Sequence, residues 1–188
     1  MIGLRITGTS GGDYLVGSDG NDVIDAVDGR NTVFAGAGDD HVIGGLGNDI
    51  LHGGPGNDTI EGRAGQNVIY GDEGDDRLFG GTGDDTLYGG SGNDRLDGVA
   101  GVNRLEGGPG DDTLVINNPR DIAIEASGGG NDTLEVASGF GAALRGRFPP
   151  WRRTGRRPSS WATSRAGPSR PRSMPIFIRS IPTSRTSG

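Results

Sequence analysis

The stretch GGPGNDTIEGRAGQNVIYGDEGDDRLF, residues 53–79, contains three near copies of one nine-residue unit. In each copy the fourth residue is glycine and the eighth is aliphatic. The sixth residue is aspartate in the outer two copies, whereas the middle copy has Asn67. Self-similarity at a fixed short period predicts a repetitive fold, and the middle copy raises the question of why one unit lacks the carboxylate.

The same unit recurs without a gap from residue 8 to residue 115, twelve times in all. The fourth position is always glycine, from Gly11 to Gly110, and the eighth is always Leu, Ile or Val, from Leu15 to Leu114. A flexible glycine-rich linker would not place an aliphatic residue at every ninth position, so a folded repeat is predicted. The sixth position is Asn31, Asn67 or Asn103 in three units and Asp13, Asp22, Asp40, Asp49, Asp58, Asp76, Asp85, Asp94 or Asp112 in the other nine.

Each position of the unit has a physical interpretation. Glycines in the first four positions permit backbone angles with φ > 0, which lets carbonyl groups turn toward a common point. The last three positions form a short strand whose middle side chain points inward. One aliphatic residue in nine makes a thin core, and the carboxylates repel one another. The unit therefore needs a hard cation with oxygen ligands, for which Ca²⁺ is better suited than Mg²⁺.

The pattern GGxGxDxUx, where U is aliphatic, closely resembles the hemolysin-type (RTX) calcium-binding repeat. The resemblance covers residues 8–115 and, more loosely, 116–138. It implies an all-β fold, a right-handed parallel β-roll (solenoid) in which two units make one turn. Twelve units then give about six turns, with Ca²⁺ ions between the loops of successive turns.

The resemblance assigns the calcium ligands to sixth-position carboxylates and to loop backbone groups. On the side of the even-numbered units the carboxylates are Asp22, Asp40, Asp58, Asp76, Asp94 and Asp112, and on the other side they are Asp13, Asp49 and Asp85. A looser repeat at residues 127–135 adds Asp132. The glycines assigned to the sites are Gly36, Gly38, Gly54, Gly56, Gly74, Gly90, Gly92, Gly108 and Gly110.

The three asparagines are 36 residues apart, so all of them fall on the side of the odd-numbered units. Affinity at oxygen-ligand calcium sites depends on ligand charge. We therefore expect an asymmetric roll, with about five strong sites on the even side and weak or vacant sites on the odd side. Duplication of a four-unit block would also explain the 36-residue period, and the two explanations are compatible.

The ninth positions of the odd units predict a ladder of side chains on the outer surface, including Phe34, His52, Tyr70 and Tyr88. One interpretation is that the rings stack on one another and stabilise a parallel sheet. The other is a docking surface for a polysaccharide, a partner domain or a second copy. His41 and His52 are interpreted as surface residues.

Charge divides the chain near residue 140. Residues 1–139 contain all 25 acidic residues and 7 Arg, whereas residues 140–188 contain 11 Arg and no acidic residue. The predicted organisation is an N-terminal cap (1–7), the roll (8–115), capping strands with one further repeat (116–139) and an Arg/Pro/Ser-rich disordered tail (140–188). Three interpretations of the tail remain open: nucleic-acid or membrane binding, contact with the acidic roll, or a frameshifted end, which the abrupt change favours.

The function predicted from these features is calcium binding, with calcium-induced folding of a secreted, extracellular module. The alternative is a polysaccharide-binding or adhesion module of a larger secreted enzyme, such as a mannuronan C5-epimerase. No catalytic motif is evident, so enzymatic activity is not expected. No apolar run is long enough to span a membrane, and nucleic acid is not an expected partner. Export by a type I system is expected from the resemblance, although the Arg-rich end is atypical of its signal.

Overall fold

The computed structural model describes residues 2–125 and 129–137. Short strands alternate with loops, most of which are glycine-rich. Each unit ends in three extended residues, and seven of the strands continue into the first two or three positions of the next unit, so they are longer than the predicted three residues. The strands are Arg5–Thr7 (β1), Tyr14–Ser18 (β2), Val23–Asp25 (β3), Thr32–Gly36 (β4), His41–Ile43 (β5), Ile50–Pro55 (β6), Thr59–Glu61 (β7), Val68–Glu73 (β8), Arg77–Thr82 (β9), Thr86–Ser91 (β10), Arg95–Ala100 (β11), Arg104–Glu106 (β12), Thr113–Ile116 (β13), Ile122–Ile124 (β14) and Thr133–Val136 (β15).

Successive strands alternate between two parallel sheets, so two units make one turn. One sheet has eight strands in the order β1-β3-β5-β7-β9-β11-β13-β15, and the other has seven in the order β14-β12-β10-β8-β6-β4-β2. Equivalent residues of neighbouring turns pair directly, as Leu51 does with Ile69 and Ile69 with Leu87. The parallel β-solenoid predicted from the repeat is therefore confirmed.

The solenoid has about seven turns, more than the six counted from residues 8–115. The difference arises because segments outside the twelve units add strands in the same register. Ile6 of β1 pairs with Ile24, Ala123 of β14 pairs with Leu105, and Leu134 of β15 pairs with Leu114. Strand pairing requires extended backbone and an inward apolar residue, and these segments provide both, β14 without a glycine loop before it.

The core is one column of eighth-position side chains that runs along the solenoid between the two sheets. Every such residue from Ile24 to Leu114 is fully buried, and Leu15 packs against the column at its N-terminal end. Ile116 and Ala123 extend the column toward the C-terminal end. The prediction that the eighth position points inward is confirmed.

Left-handed backbone recurs at the second and fourth positions of the loops. Nine glycines assigned to the sites have φ between 107° and 146°. Four other residues at the second position also have positive φ: Val27, Arg63, Asp72 and Val99, with φ from 62° to 78°. Three of these four lie in the units that contain asparagine at the sixth position. Those units therefore depart from the repeat at two positions.

No helix among the described residues is long and apolar enough to span a membrane. The predicted tail, residues 140–188, lies outside the described residues.

Candidate metal centre

The sixth-position carboxylates of the even units form a buried column beside the core. Asp40, Asp58, Asp76, Asp94 and Asp112 are 1–3% exposed. One oxygen of each carboxylate, Oδ1, accepts a hydrogen bond from the backbone N–H of the sixth-position residue one turn earlier, at 2.6–2.8 Å. These bonds fix each carboxylate between two loops of the solenoid.

The second oxygen, Oδ2, is in a different situation. In all five of these aspartates Oδ2 is buried and has no hydrogen-bond partner among the described residues. The same holds for Asp49 and Asp85 on the odd side. An ionised carboxylate oxygen that is removed from water without a partner is strongly unfavourable, because nothing replaces its lost hydration. A repeated column of such atoms indicates that a positive charge, either a metal ion or a proton, completes the loops.

The pKa values of these carboxyl groups reflect the same cost. Burial, together with the nearby carboxylates of Asp94 and Asp58, raises the pKa of Asp76 to about 8. Burial likewise raises the pKa of Asp58 to about 7 and those of Asp94 and Asp112 to about 6. Without a cation the column would therefore take up protons near neutral pH.

The loops also supply carbonyl oxygens. From Gly38 onward on the even side, the carbonyl oxygen of a fourth-position glycine lies close to the fourth-position glycine one turn later, as for Gly38 and Gly56 or Gly74 and Gly92. Among the described residues, no N–H group donates to the carbonyls of Gly38, Gly56, Gly74 or Gly92. Carboxylate and carbonyl oxygens together are the ligand set that Ca²⁺ prefers, so the residues present fit this ion.

The odd column alternates between aspartate and asparagine. Asn31, Asn67 and Asn103 are 1% exposed, and their Oδ1 atoms accept the same inter-turn bond as an aspartate, at 2.9–3.0 Å. In two of the three, the amide nitrogen donates to a first-position carbonyl of the next turn: Asn31 to Gly44 and Asn67 to Gly80, both at 3.4 Å. The asparagine side chain thus keeps the inter-turn hydrogen bond through Oδ1. In these two units its N–H₂ group, which donates a hydrogen bond, stands where an aspartate would have an unpaired oxygen.

At the N-terminal end, backbone N–H groups donate hydrogen bonds to the sixth-position carboxylates. Asp22 accepts hydrogen bonds from the N–H groups of Leu4 and Ser18, at 2.5 and 2.6 Å. Burial raises its pKa, but these two bonds and the Ser18 hydroxyl outweigh burial and hold it below its ordinary value. Asp13 similarly accepts from the N–H of Thr9 at 2.6 Å. The sequence predicted both Asp13 and Asp22 as calcium ligands. Because the protein already donates hydrogen bonds to these two carboxylates, a bound cation would stabilise them less than the even-side carboxylates from Asp40 to Asp112.

Asp121 continues the odd column, although the nine-residue frame did not identify it. It lies eighteen residues after Asn103, is 2% exposed and accepts the N–H of Asn103 at 2.8 Å. Its other oxygen accepts from the N–H groups of Asn117 and Asn118. The non-glycine loop is thereby closed without a cation. An eighteen-residue step from Asn103 would have located this residue.

A second ladder at the fifth position was also missed. On the even side the N–H of each fifth-position residue donates to the side chain one turn earlier, from Asp39 to Asn21 through to Asn131 to Asp111, at 2.6–3.1 Å. On the odd side only Asn48 and Asp84 accept such a bond, from Gln66 and Val102. The signal was present in the sequence, because Asn or Asp fills every even fifth position. The fifth-position hydrogen bonds are therefore continuous on the even side and interrupted on the odd side.

At the C-terminal end a third carboxylate enters the even column. Carboxylate oxygens of Asp112, Glu125 and Asp132 lie within 4.8 Å of one another. Burial, together with the carboxylates of Asp132 and Asp112, raises the pKa of Glu125 to about 8, and the N–H groups of Gly108 and Gly107 oppose this shift only in part. The repeat pattern gave no indication of Glu125, because it takes the place of a first-position glycine.

The raised pKa values predict an unusual pH dependence for the metal-free chain. Because the folded carboxyl groups bind protons at a higher pH than the ordinary value of 3.8, the folded state is stabilised by acid, and this stability is lost as pH rises from about 4 to about 8. Circular dichroism in metal-free buffer should therefore show more β-structure at pH 5 than at pH 8. With Ca²⁺ present the dependence should reverse, since protons compete with the ion. If the β-structure of the metal-free chain instead increased with pH, the raised pKa values of the buried carboxyl groups would be contradicted.

The predicted aromatic ladder is present on the outer face of the seven-stranded sheet. Ring centroids of Phe34 and His52, His52 and Tyr70, and Tyr70 and Tyr88 are 4.4–4.9 Å apart, with interplanar angles of 5–11°. Arg104 covers the far side of Tyr88, at 5.3 Å from the ring centroid. The rings therefore cover one another, and mainly their edges are exposed. This geometry favours the stabilising interpretation of the ladder.

Comparison with known families agrees with the geometry. The family model described as the RTX calcium-binding nonapeptide repeat (four copies) matches residues 7–42, 25–60, 52–87, 70–105 and 97–115. Together these matches cover the chain from residue 7 to residue 115, more than half of its length. No curated protein matches the sequence.

Proposed function

Because the chain belongs to the family of RTX calcium-binding nonapeptide repeat proteins, we propose that it is a module whose folding is driven by Ca²⁺. The repeats imply calcium binding in a β-roll, and the observation that carries the proposal is the column of unpaired carboxylate oxygens at Asp40, Asp58, Asp76, Asp94 and Asp112. A bound divalent cation would supply the positive charge that these atoms lack.

Binding and folding are then one equilibrium. In the unfolded chain the carboxylates are hydrated and far apart, so they offer no preformed site. In the roll they stack one turn apart, and their mutual repulsion and lost hydration oppose folding unless cations are bound. A ligand that binds only the folded state stabilises it in proportion to the logarithm of its concentration. The thin core alone does not offset the entropy of ordering the chain.

The two sides of the roll should differ in affinity. The even side joins consecutive carboxylates, whereas on the odd side every second position is an amide, two of which already have a hydrogen-bond partner. We place the strong sites between Asp40 and Asp112 and treat the loops of Asp13 and Asp22 as weaker. The odd sites between Asp49, Asn67 and Asp85 have one carboxylate for each pair of loops.

Secretion follows from the same equilibrium. Weak extracellular calcium modules bind at about 10⁻⁴–10⁻³ M, so the chain would be unfolded at cytosolic calcium and folded outside the cell. This proposal is supported by the family, whose repeats are typical of secreted proteins. The export route and the absence of enzymatic activity remain predictions.

Equilibrium dialysis against Ca²⁺ tests the proposal. We expect several ions for each chain in at least two affinity classes, with the tighter class assigned to the even side. Failure to bind Ca²⁺ at millimolar concentration would contradict calcium binding. A single class of equal sites would contradict only the difference between the two sides.

A second hypothesis, a polysaccharide or partner domain bound on the face formed by Phe34, His52, Tyr70 and Tyr88, has no contact that favours it. Sugars pack against the flat faces of aromatic rings, and here those faces are occupied by neighbouring rings. Polysaccharide binding therefore remains a prediction, which a glycan array with a Tyr70→Ser/Tyr88→Ser control would test.

A further inference from the structure

We propose that Glu125, which the nonapeptide pattern does not assign, joins Asp112 and Asp132 as a third carboxylate in a calcium site at the C-terminal end of the roll. The carboxylate oxygens of these three residues lie within 4.8 Å of one another. Glu125 and Asp132 both lie beyond residue 115, where the match to the repeat family ends. This inference rests on the proposed function, because it takes Ca²⁺ as the ion of the module.

Glu125 reaches the site because of its place in the turn. It follows β14 directly, at the point where the earlier even loops begin with a small residue such as Gly89 or Gly107. Its side chain folds beneath Gly107, where an added Cβ would lie 2.5 Å from Glu125 Oε1 and would also meet Asp112 Oδ2. The glycine therefore leaves the space in which the two carboxylates approach each other.

The register of the last turn brings in the third carboxylate. Twenty residues separate Asp112 from Asp132, two more than in the other turns. Asp132 Oδ1 nevertheless accepts the N–H of Asp112, at 3.1 Å. The additional residues fall in the loop that contains Glu125. The column contact is preserved while the loop gains an acidic side chain.

Two of the three residues of the cluster are buried and Asp132 is half-buried, which distinguishes the cluster from an ordinary acidic surface. Glu125 is 9% exposed, and both of its carboxylate oxygens are buried without a hydrogen-bond partner among the described residues. Asp112 is 1% exposed, and its Oδ2 is likewise unpaired. The nearby N–H of Gly107 is engaged with the carbonyl of Ile124, at 3.4 Å. The N–H groups of Gly108 and Gly107 offset the charge of Glu125 only in part, and among the described residues no cationic side chain pairs with the three carboxylates, so a cation of high charge density suits the position.

The site should bind Ca²⁺ more tightly than the loops within the repeat. Each even pair within the repeat has two sixth-position carboxylates, whereas the end site has three. Because ligand charge sets affinity at such sites, this site should fill first as calcium rises. Its ion would also fix β15 to the end of the roll.

The test compares Glu125→Gln with wild type in the full chain, by flow dialysis with ⁴⁵Ca²⁺ and by circular dichroism. Glutamine has the same size and lacks the charge, so the variant should fold at saturating Ca²⁺. We expect the tightest site to weaken by at least about tenfold while the remaining sites are kept. Glu135→Gln is the matched control, because Glu135 lies on β15, the strand that follows Asp132, and its exposed side chain pairs with Arg95. That variant should bind as wild type does.

Equal binding by Glu125→Gln and Glu135→Gln would overturn the end site and leave the proposed function intact. Absence of calcium binding by wild type would instead overturn the proposed function. If Glu125→Gln does not fold at any calcium concentration, Asp132→Asn provides the second variant, and it too should lose the tightest site. Retention of that site in a folded Asp132→Asn variant would likewise overturn the proposal.

Discussion

Gly65→Ala should strongly destabilise the solenoid, by about 2–5 kcal/mol, because two separate costs act at one atom. Gly65 has φ of 111°, and an L-residue in left-handed backbone costs about 1–2 kcal/mol. The added Cβ would also overlap the carbonyl oxygen of Gly47 one turn earlier. Relief of that overlap requires the loops to separate, at a further cost of about 1–3 kcal/mol. Denaturant unfolding at saturating Ca²⁺ measures the loss.

Gly11→Ala is the matched control, because Gly11 occupies the same fourth position in the first unit. Its φ is not in the left-handed region, and an added Cβ would meet only Thr9 Oγ1, at 3.7 Å. We expect this variant to unfold as wild type does. Gly65 lies in the unit that contains Asn67, where no strong metal site is expected. A large loss of stability in Gly65→Ala would therefore result mainly from disturbed packing between successive loops. Equal stability of the two variants would contradict the close stacking of the loops.

Asp76→Asn should weaken calcium binding at two neighbouring positions, because Asp76 lies between Asp58 and Asp94 in the column. The amide keeps the Oδ1 bond, as Asn67 does, and removes one charge from each adjacent pair of loops. We expect affinity to fall about tenfold at each of these sites, and the calcium midpoint for folding to rise. In metal-free buffer near neutral pH the variant should be more stable than wild type, since the amide avoids the cost of protonating or burying this carboxyl group. Calorimetric titration and circular dichroism measure the two effects.

Asn67→Asp is the reciprocal change on the odd side. It places a carboxylate between Asp49 and Asp85 and replaces the amide that donates to the carbonyl of Gly80. The variant should lose stability without Ca²⁺ and gain calcium affinity on that side. Gln66→Glu, at an exposed position of the same loop, adds the same negative charge and controls for the change in net charge. If the odd-side sites had the same calcium affinity in wild type and in Asn67→Asp, the predicted asymmetry between the two sides would be contradicted.

The nine-residue pattern was sufficient to predict the parallel solenoid, because the strand, the inward residue and the loop glycines can be identified in each unit of the sequence. It undercounted the turns, since the stacking rule is an eighteen-residue step that does not require glycine. Ile122–Ile124 keeps that step, and with it Asp121 keeps its place in the odd column. A search for extended segments eighteen residues apart would have found both.

Two features of the site depend on three-dimensional placement more than on the pattern. The unequal environments of Oδ1 and Oδ2 become visible only when successive turns are stacked. Glu125 keeps the eighteen-residue step from Gly107, and its carboxylate occupies the space beneath that glycine. By contrast, the asparagine spacing was read correctly as an alternation on one side. What the sequence could not indicate is that the amides of Asn31 and Asn67 would have partners of their own.

Far-UV circular dichroism of the full chain near pH 7.5, with EGTA and then with Ca²⁺, tests the central claim most directly. The predicted result is little β-structure in EGTA and a cooperative gain of β-signal at about 10⁻⁴–10⁻³ M Ca²⁺. Mg²⁺ at the same concentration should have little effect, because it retains its own water ligands. A full β-signal in EGTA would show that the roll folds without calcium and would contradict the account.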